Sequence, residues 1–122
     1  MDTFSVDFAS DLMNYIAVVT RMDDGLVLAV GGGHTHVGTV ILAEPRESLK
    51  KDGTYSSTSS VINPVGHLDE VPLRREAERL AADLRIRVCL AGGIHLDNIS
   101  PEEISQVQSD CRTLFRLIRE KL

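Results

Sequence analysis

The first half of the chain is laid out in short β-prone apolar runs, and the second half switches period to helix, strand and helix. Residues 14–22 are rich in Tyr, Ile, Val and Thr, and residues 26–30 are apolar. Asp23-Asp24-Gly25 between them predicts a hairpin. A preceding strand falls on residues 4–9. Residues 37–43 form another apolar strand, and residues 56–62 a strand rich in Ser and Thr. The polar stretch 44–55, with Pro45 and Asp52-Gly53, predicts an exposed loop.

In residues 72–84, Leu73, Ala77, Leu80, Ala81 and Leu84 recur at helical spacing. Arg74, Arg75, Glu76, Glu78, Arg79 and Asp83 fall largely on the other face, and Pro72 suits a first-turn position. Residues 87–91 return to strand, and Gly92-Gly93 is expected to end it. Ser100-Pro101-Glu102-Glu103 opens the last helix, with Ser100 as N-cap and Glu103 completing a capping box. Its apolar stripe is Ile104, Val107, Cys111, Leu114, Phe115 and Ile118. Arg112, Arg116, Arg119 and Lys121 complement the carboxyl end of its dipole. The order β-β-β-β-β-α-β-α defines an α+β domain with a mostly antiparallel sheet and two helices.

The 122 residues make one domain, residues 1–122, large enough for a core without metal or disulfide staples. A formal net charge of −5 argues against a nucleic-acid partner. No apolar run is long enough to span a bilayer. The acidic start Met1-Asp2-Thr3-Phe4 lacks the order of a signal peptide, so a cytoplasmic location is expected. Cys89 in a strand and Cys111 in a helix make no metal motif and are expected to be buried free thiols.

All four histidines sit beside glycines: Gly33-His34-Thr35-His36-Val37-Gly38, Gly66-His67-Leu68-Asp69 and Gly92-Gly93-Ile94-His95-Leu96-Asp97. Histidine titrates near neutral pH and is the commonest metal ligand. This clustering points to one composite site. Extended backbone would put His34 and His36 on one face, as two ligands of a metal or two donors to an anion; the alternative is a pair of ordinary polar loop residues. The glycines before His34 would expose backbone N–H groups able to cradle phosphate, without the order of a Walker loop or a dinucleotide fingerprint. Asp69 and Asp97 either cap turns or orient His67 and His95. Ser57 and Ser59, in the hydroxyl run 56–60, are either a solvated edge or donors to a phosphate or flavin edge, with Arg46 supplying charge.

The segments Gly33–Gly38, Pro64-Val65-Gly66-His67-Leu68-Asp69-Glu70 and Ala91-Gly92-Gly93-Ile94-His95-Leu96-Asp97-Asn98 resemble a family of small proteins that accompany UbiD-like, prenylated-flavin-dependent decarboxylases. The resemblance covers residues 14–118, and its most specific part is Gly-Ile-His-x-Asp-Asn before a Ser-Pro-Glu-Glu helix. One departure is Val65, which separates Pro64 from Gly66 where the family has them adjacent. The resemblance implies a fold related to proteasome assembly chaperones. It implies a chaperone that binds prenylated FMN (or FMN) and delivers it to a decarboxylase after a flavin prenyltransferase has made it. In that role Gly33, His34, His36, Gly38, Arg46, Ser57, Ser59, Gly66, His67, His95 and Asp97 would contact the cofactor. His34, His36, His67 and His95 are also the candidate ligands of a divalent metal bridging to the phosphate.

Two other functions compete. A small metal-dependent hydrolase or isomerase would use the histidines and aspartates around a metal-bound water, although no established catalytic motif accompanies them. A purely structural decarboxylase subunit would use none of them chemically. A homodimer is compatible with each, and an exposed apolar sheet face would favour it.

Overall fold

The computed structural model describes residues 1–64, 70–95 and 97–122. The chain forms β1 (Asp2–Ala9), β2 (Asn14–Met22), β3 (Gly25–Gly33), β4 (Thr39–Glu47), β5 (Tyr55–Ile62), α1 (Glu70–Leu84), β6 (Arg87–His95) and α2 (Pro101–Lys121). The strands make one sheet in the order β1-β2-β3-β6-β4-β5. Every neighbouring pair is antiparallel except β3 and β6, which run parallel. The α+β class and the element order expected from the sequence are therefore observed.

Each inner strand buries alternate residues. Tyr15, Ala17 and Val19 of β2, Leu26, Leu28 and Val30 of β3, Ile41 and Ala43 of β4, and Val88 and Leu90 of β6 all join the core. Period-2 alternation puts them on one face, and both helices cover that face. Helix α1 packs on β4, β5 and β6, and α2 on β1, β2 and α1. The helices close the core with Leu73, Ala77, Leu80 and Ala81 and with Val107, Cys111, Leu114, Phe115 and Ile118. Ser100 caps α2, accepting from the Glu103 backbone N–H at 3.1 Å, while the Glu103 carboxylate accepts from the Ser100 N–H at 3.0 Å.

The structure corrects several boundaries. Strand β4 starts at Thr39 and runs through Pro45 to Glu47, so the expected loop is shorter. Its pairing with β5 carries it past the proline, whose lost donor costs little in a strand end. Strand β1 begins at Asp2, β5 at Tyr55 and α1 at Glu70. Gly31–Gly33 belong to β3 rather than to a turn, and Gly92-Gly93 lie inside β6 rather than ending it. There a glycine marks close approach: a Cβ on Gly92 would run into the Val30 carbonyl on the neighbouring strand. Ile104 is exposed instead of joining the apolar stripe, and Cys89 is half-buried. Glu76, expected on the polar face of α1, is buried and paired with Arg79 at 2.9 Å.

Candidate functional site

The parallel register of β3 and β6 brings distant histidines together. Gly33, the last residue of β3, pairs with His95, the last residue of β6. His34 follows Gly33 directly, so it emerges beside His95. The His34 and His36 rings lie 6.3 Å apart and nearly parallel. His95 meets them edge-on, at 6.2 Å from His34 and 5.8 Å from His36. Three imidazoles from two remote segments thus form a near-equilateral triangle.

The loop between β3 and β4 is held at both ends. The Gly38 N–H donates to the Gly92 carbonyl at 2.8 Å. His36 Nδ1 lies 2.9 Å from the His34 carbonyl oxygen, folding the loop on itself. At the near end the chain doubles back over β3. A Cβ on Gly31 would collide with the Thr35 methyl group, so the missing side chain is the seat on which Thr35 rests. Gly31 alternates with Val27 and Ala29, so the loop lies on the sheet face that carries no helix. The expected cradle of glycine N–H groups is not formed, because Gly31 and Gly32 are paired within the sheet.

His95 Nε2 lies 2.9 Å from Asp97 Oδ1, so this carboxylate holds the ring's orientation as the second reading of the sequence expected. Both groups are open to solvent, and in solvent such a pair adds little stability. The arrangement offers several imidazole donors and acceptors backed by one carboxylate, suited to holding a polar or anionic group.

Gly66, His67 and Asp69 lie outside the described residues. Strand β5 ends at this end of the sheet, since Ile62 pairs with Val40 and Val40 with Ala91. There Thr39 donates to Asn63 Oδ1 at 2.7 Å, and Asn63 donates to Glu70 Oε1 at 2.7 Å. Arg46, Ser57 and Ser59 are not brought to the histidines. Ser59 pairs with Ala43 and Ala43 with Val88, seven residues before His95 on β6, or roughly 23 Å at about 3.3 Å per residue. The Ser57 hydroxyl donates to the Glu78 carbonyl, and that of Ser59 to the Glu78 carboxylate. These two serines fasten β5 to α1, while Arg46 reaches Thr58 at 3.2 Å.

Among the described residues, no three His, Cys, Asp or Glu side chains are placed to hold a metal ion. Rings sharing one tetrahedral ion at about 2.1 Å would stand roughly 5 Å apart between centres, closer than the triangle observed. Sequence reasoning missed Thr35, whose role depends on a strand that the glycine run concealed. It also missed Asp110, buried on α2 and accepting from Tyr15, Ser10 and Gln106. Asp110 falls on the apolar stripe between Val107 and Cys111, and that spacing is the signal that marks it.

The sheet with two helices on one face defines the class of the protein. The chain is similar in fold to a chain of the crystal structure described as a novel chaperone complex for yeast 20S proteasome assembly. The TM-score is 0.62 with 14% identity, over 99% of this chain and 97% of that one. No curated protein matches in sequence. Residues 13–122 match the prenylated flavin chaperone LpdD-like domain, and the chain belongs to that family.

Proposed function

We propose that this protein is a non-enzymatic carrier of prenylated FMN, working as a homodimer in the cytoplasm. It accepts the cofactor from a flavin prenyltransferase and surrenders it to a UbiD-like decarboxylase. The observation that carries this reading is the triangle of His34, His36 and His95, assembled at the margin of an apolar sheet face in a chain of a flavin-chaperone family.

The residues suit such a cargo. Imidazole nitrogens can bond a phosphate or the polar edge of a flavin, His95 as a donor when its Nδ1 also carries a proton, and Asp97 keeps the His95 ring turned for it. Beside them, Ile16, paired with Gly31, and the exposed Val37 offer aliphatic surface to the ring and the prenyl group. None of the three histidines is locked in the core, which suits a cargo that must be released. A carrier needs that reversibility, whereas an enzyme needs groups poised against a reacting bond.

The test is native mass spectrometry with elemental analysis, on protein purified without oxygen after co-expression with a flavin prenyltransferase. One prenylated FMN per chain is expected, lost in His34→Ala and His95→Ala. Stoichiometric transition metal without flavin would overturn the reading in favour of a metal-dependent hydrolase or isomerase. Neither ligand would leave a structural subunit.

A further inference from the structure

The hydroxyl run of residues 56–60 lies on β5, the last strand of the sheet, beside α1. Strand and helix run antiparallel to one another. Ser57 donates to the Glu78 carbonyl, Arg74 to the Ser59 carbonyl, and Asn63 to the Glu70 carboxylate. A cleft of about 430 Å³ lies between the start of β5 and the helix, lined by Tyr55 and Ser57 on one side and Arg79 and Ala82 on the other. A second cleft of about 250 Å³ continues along α1, and Arg75 and Glu78 border both.

Strand β5 pairs with β4 on one side and ends the sheet on the other. The Ser48 N–H donates to the Thr54 carbonyl where the hairpin opens. Antiparallel pairing alternates with period two, so residues 56, 58, 60 and 62 turn their backbone groups to β4. Those of Tyr55, Ser57, Ser59 and Val61 point off the sheet. The Arg74 guanidinium, 3.2 Å from the Ser59 carbonyl, marks that direction. Among the described residues it is the one side chain bonded to these outward groups. A row of free backbone donors and acceptors is a template for another strand.

We propose that the groove between β5 and α1 takes an extended acidic segment of a partner protein, added to the sheet as a seventh strand beside β5. In such strand addition, main-chain bonds give affinity and alternate side chains give specificity. Ser57 and Ala82 are small and leave the space that those side chains fill. Charge sets their chemistry. Arg75 is exposed and has no acidic partner among the described residues. Arg74 is held by the Ser59 carbonyl and, at 3.4 Å, by Glu70. An entering N–H takes over the Ser59 carbonyl and frees Arg74 for a carboxylate. The neighbouring acids are already engaged: Glu78 by Ser59, Glu76 by Arg79 and Asp83 by Arg119. Two guanidinium groups are thus left for acidic side chains. Strand β4 separates β5 from β6, which carries His95, so a partner held here leaves the histidine triangle uncovered.

The experiment is an NMR titration of the flavin-free full chain with a capped heptapeptide of alternating valine and glutamate, against the same peptide with lysine for glutamate. Because no flavin is present, its outcome is separate from that of the carrier reading. Saturable shifts are expected at the amides of Tyr55, Ser57, Ser59 and Val61, with the glutamate peptide bound about fivefold tighter or more. The net charge of −5 favours the lysine peptide at long range, so this preference reports the groove itself. Arg75→Glu is expected to reverse it. Ser57→Pro removes an outward N–H without touching the bonds to β4, and is expected to weaken binding about tenfold. Ser57→Ala, which loses only the hydroxyl, is expected to bind within about twofold of the unmodified chain. Shifts that fail to saturate at millimolar peptide, shifts centred away from β5 and α1, an equal or tighter lysine peptide, or an unchanged preference in folded Arg75→Glu protein would each overturn the proposal.

Discussion

The Tyr15 hydroxyl donates to the Asp110 carboxylate at 2.7 Å, joining β2 to α2 across the core. The same oxygen accepts from Ser10 at 2.6 Å, and the other accepts from Gln106 at 2.7 Å. Ser10 in turn accepts from the backbone N–H of Leu12. One buried carboxylate therefore fixes the turn between β1 and β2 to the helix layer. Tyr15→Phe removes one of three donors and keeps the packing. It is expected to cost about 1.5–3 kcal/mol in urea unfolding, the scale of a hydrogen bond to a charged group. Asp110→Ala strands all three donors and is expected to cost more.

Burial pushes the Cys111 thiol up to about 12 from an ordinary 9.0, with the Glu76 and Asp110 carboxylates adding to the shift. Burial and the same Asp110 also push the Tyr15 hydroxyl up from its ordinary 10.0. The folded chain thus keeps protons that the unfolded chain releases, and stability falls as pH rises. Urea midpoints are expected to be unaffected by these groups below pH 9 and to drop progressively between pH 9 and about 12. Cys111→Ala loses stability at every pH through its cavity but shows a shallower alkaline fall. Parallel curves for the two proteins would contradict this account.

Gly31→Ala places a methyl group where Thr35 rests and lifts the loop carrying His34 and His36. Flavin retained after desalting is expected to fall about tenfold, equivalent to about 1.4 kcal/mol. The second substitution Thr35→Ala removes the colliding methyl and is expected to recover part of that loss. If the double variant binds no better than Gly31→Ala alone, the loop is not seated in this way.

Asp97→Asn separates two roles for this side chain. Asparagine serves a turn as well as aspartate does, but it lacks the charge that holds His95. Retention of flavin is expected to fall about threefold to tenfold, the scale of one ordinary hydrogen bond. The melting temperature is expected to stay within about 1 °C, because the pair is exposed. A lower melting temperature with undiminished retention would assign Asp97 to the turn.

The element order was legible because its signals are local. The Asp-Gly hairpin, the helical spacing of Leu73 to Ala81 and the Ser100–Glu103 capping box each depend on a few neighbouring residues. Glycine was the main source of error. At Gly31 and Gly92 it serves close packing inside strands, and sequence alone cannot separate that use from a turn. The grouping of His34, His36 and His95 was legible as an idea, but the parallel pairing of Gly33 with His95 that produces it is long-range. Arg46, Ser57 and Ser59 lie toward the opposite end of the sheet from the three histidines. No local pattern records which end of a strand faces a given loop.

The placement of β6 between β3 and β4 has a temporal consequence. During synthesis the β1-β2-β3 meander and the β4-β5 hairpin can each form from contiguous chain. Neither contains a complete histidine site. Residues 87–95 must emerge and thread between two finished pieces before either central edge is satisfied. Such non-local pairing is slow, and the exposed edges of β3 and β4 are vulnerable to wrong partners until it happens. Joining the two pieces is the event that brings His95 alongside His34. Under the carrier reading, competence to hold the cofactor therefore arrives in the last step of assembly, when His95 first joins His34 and His36.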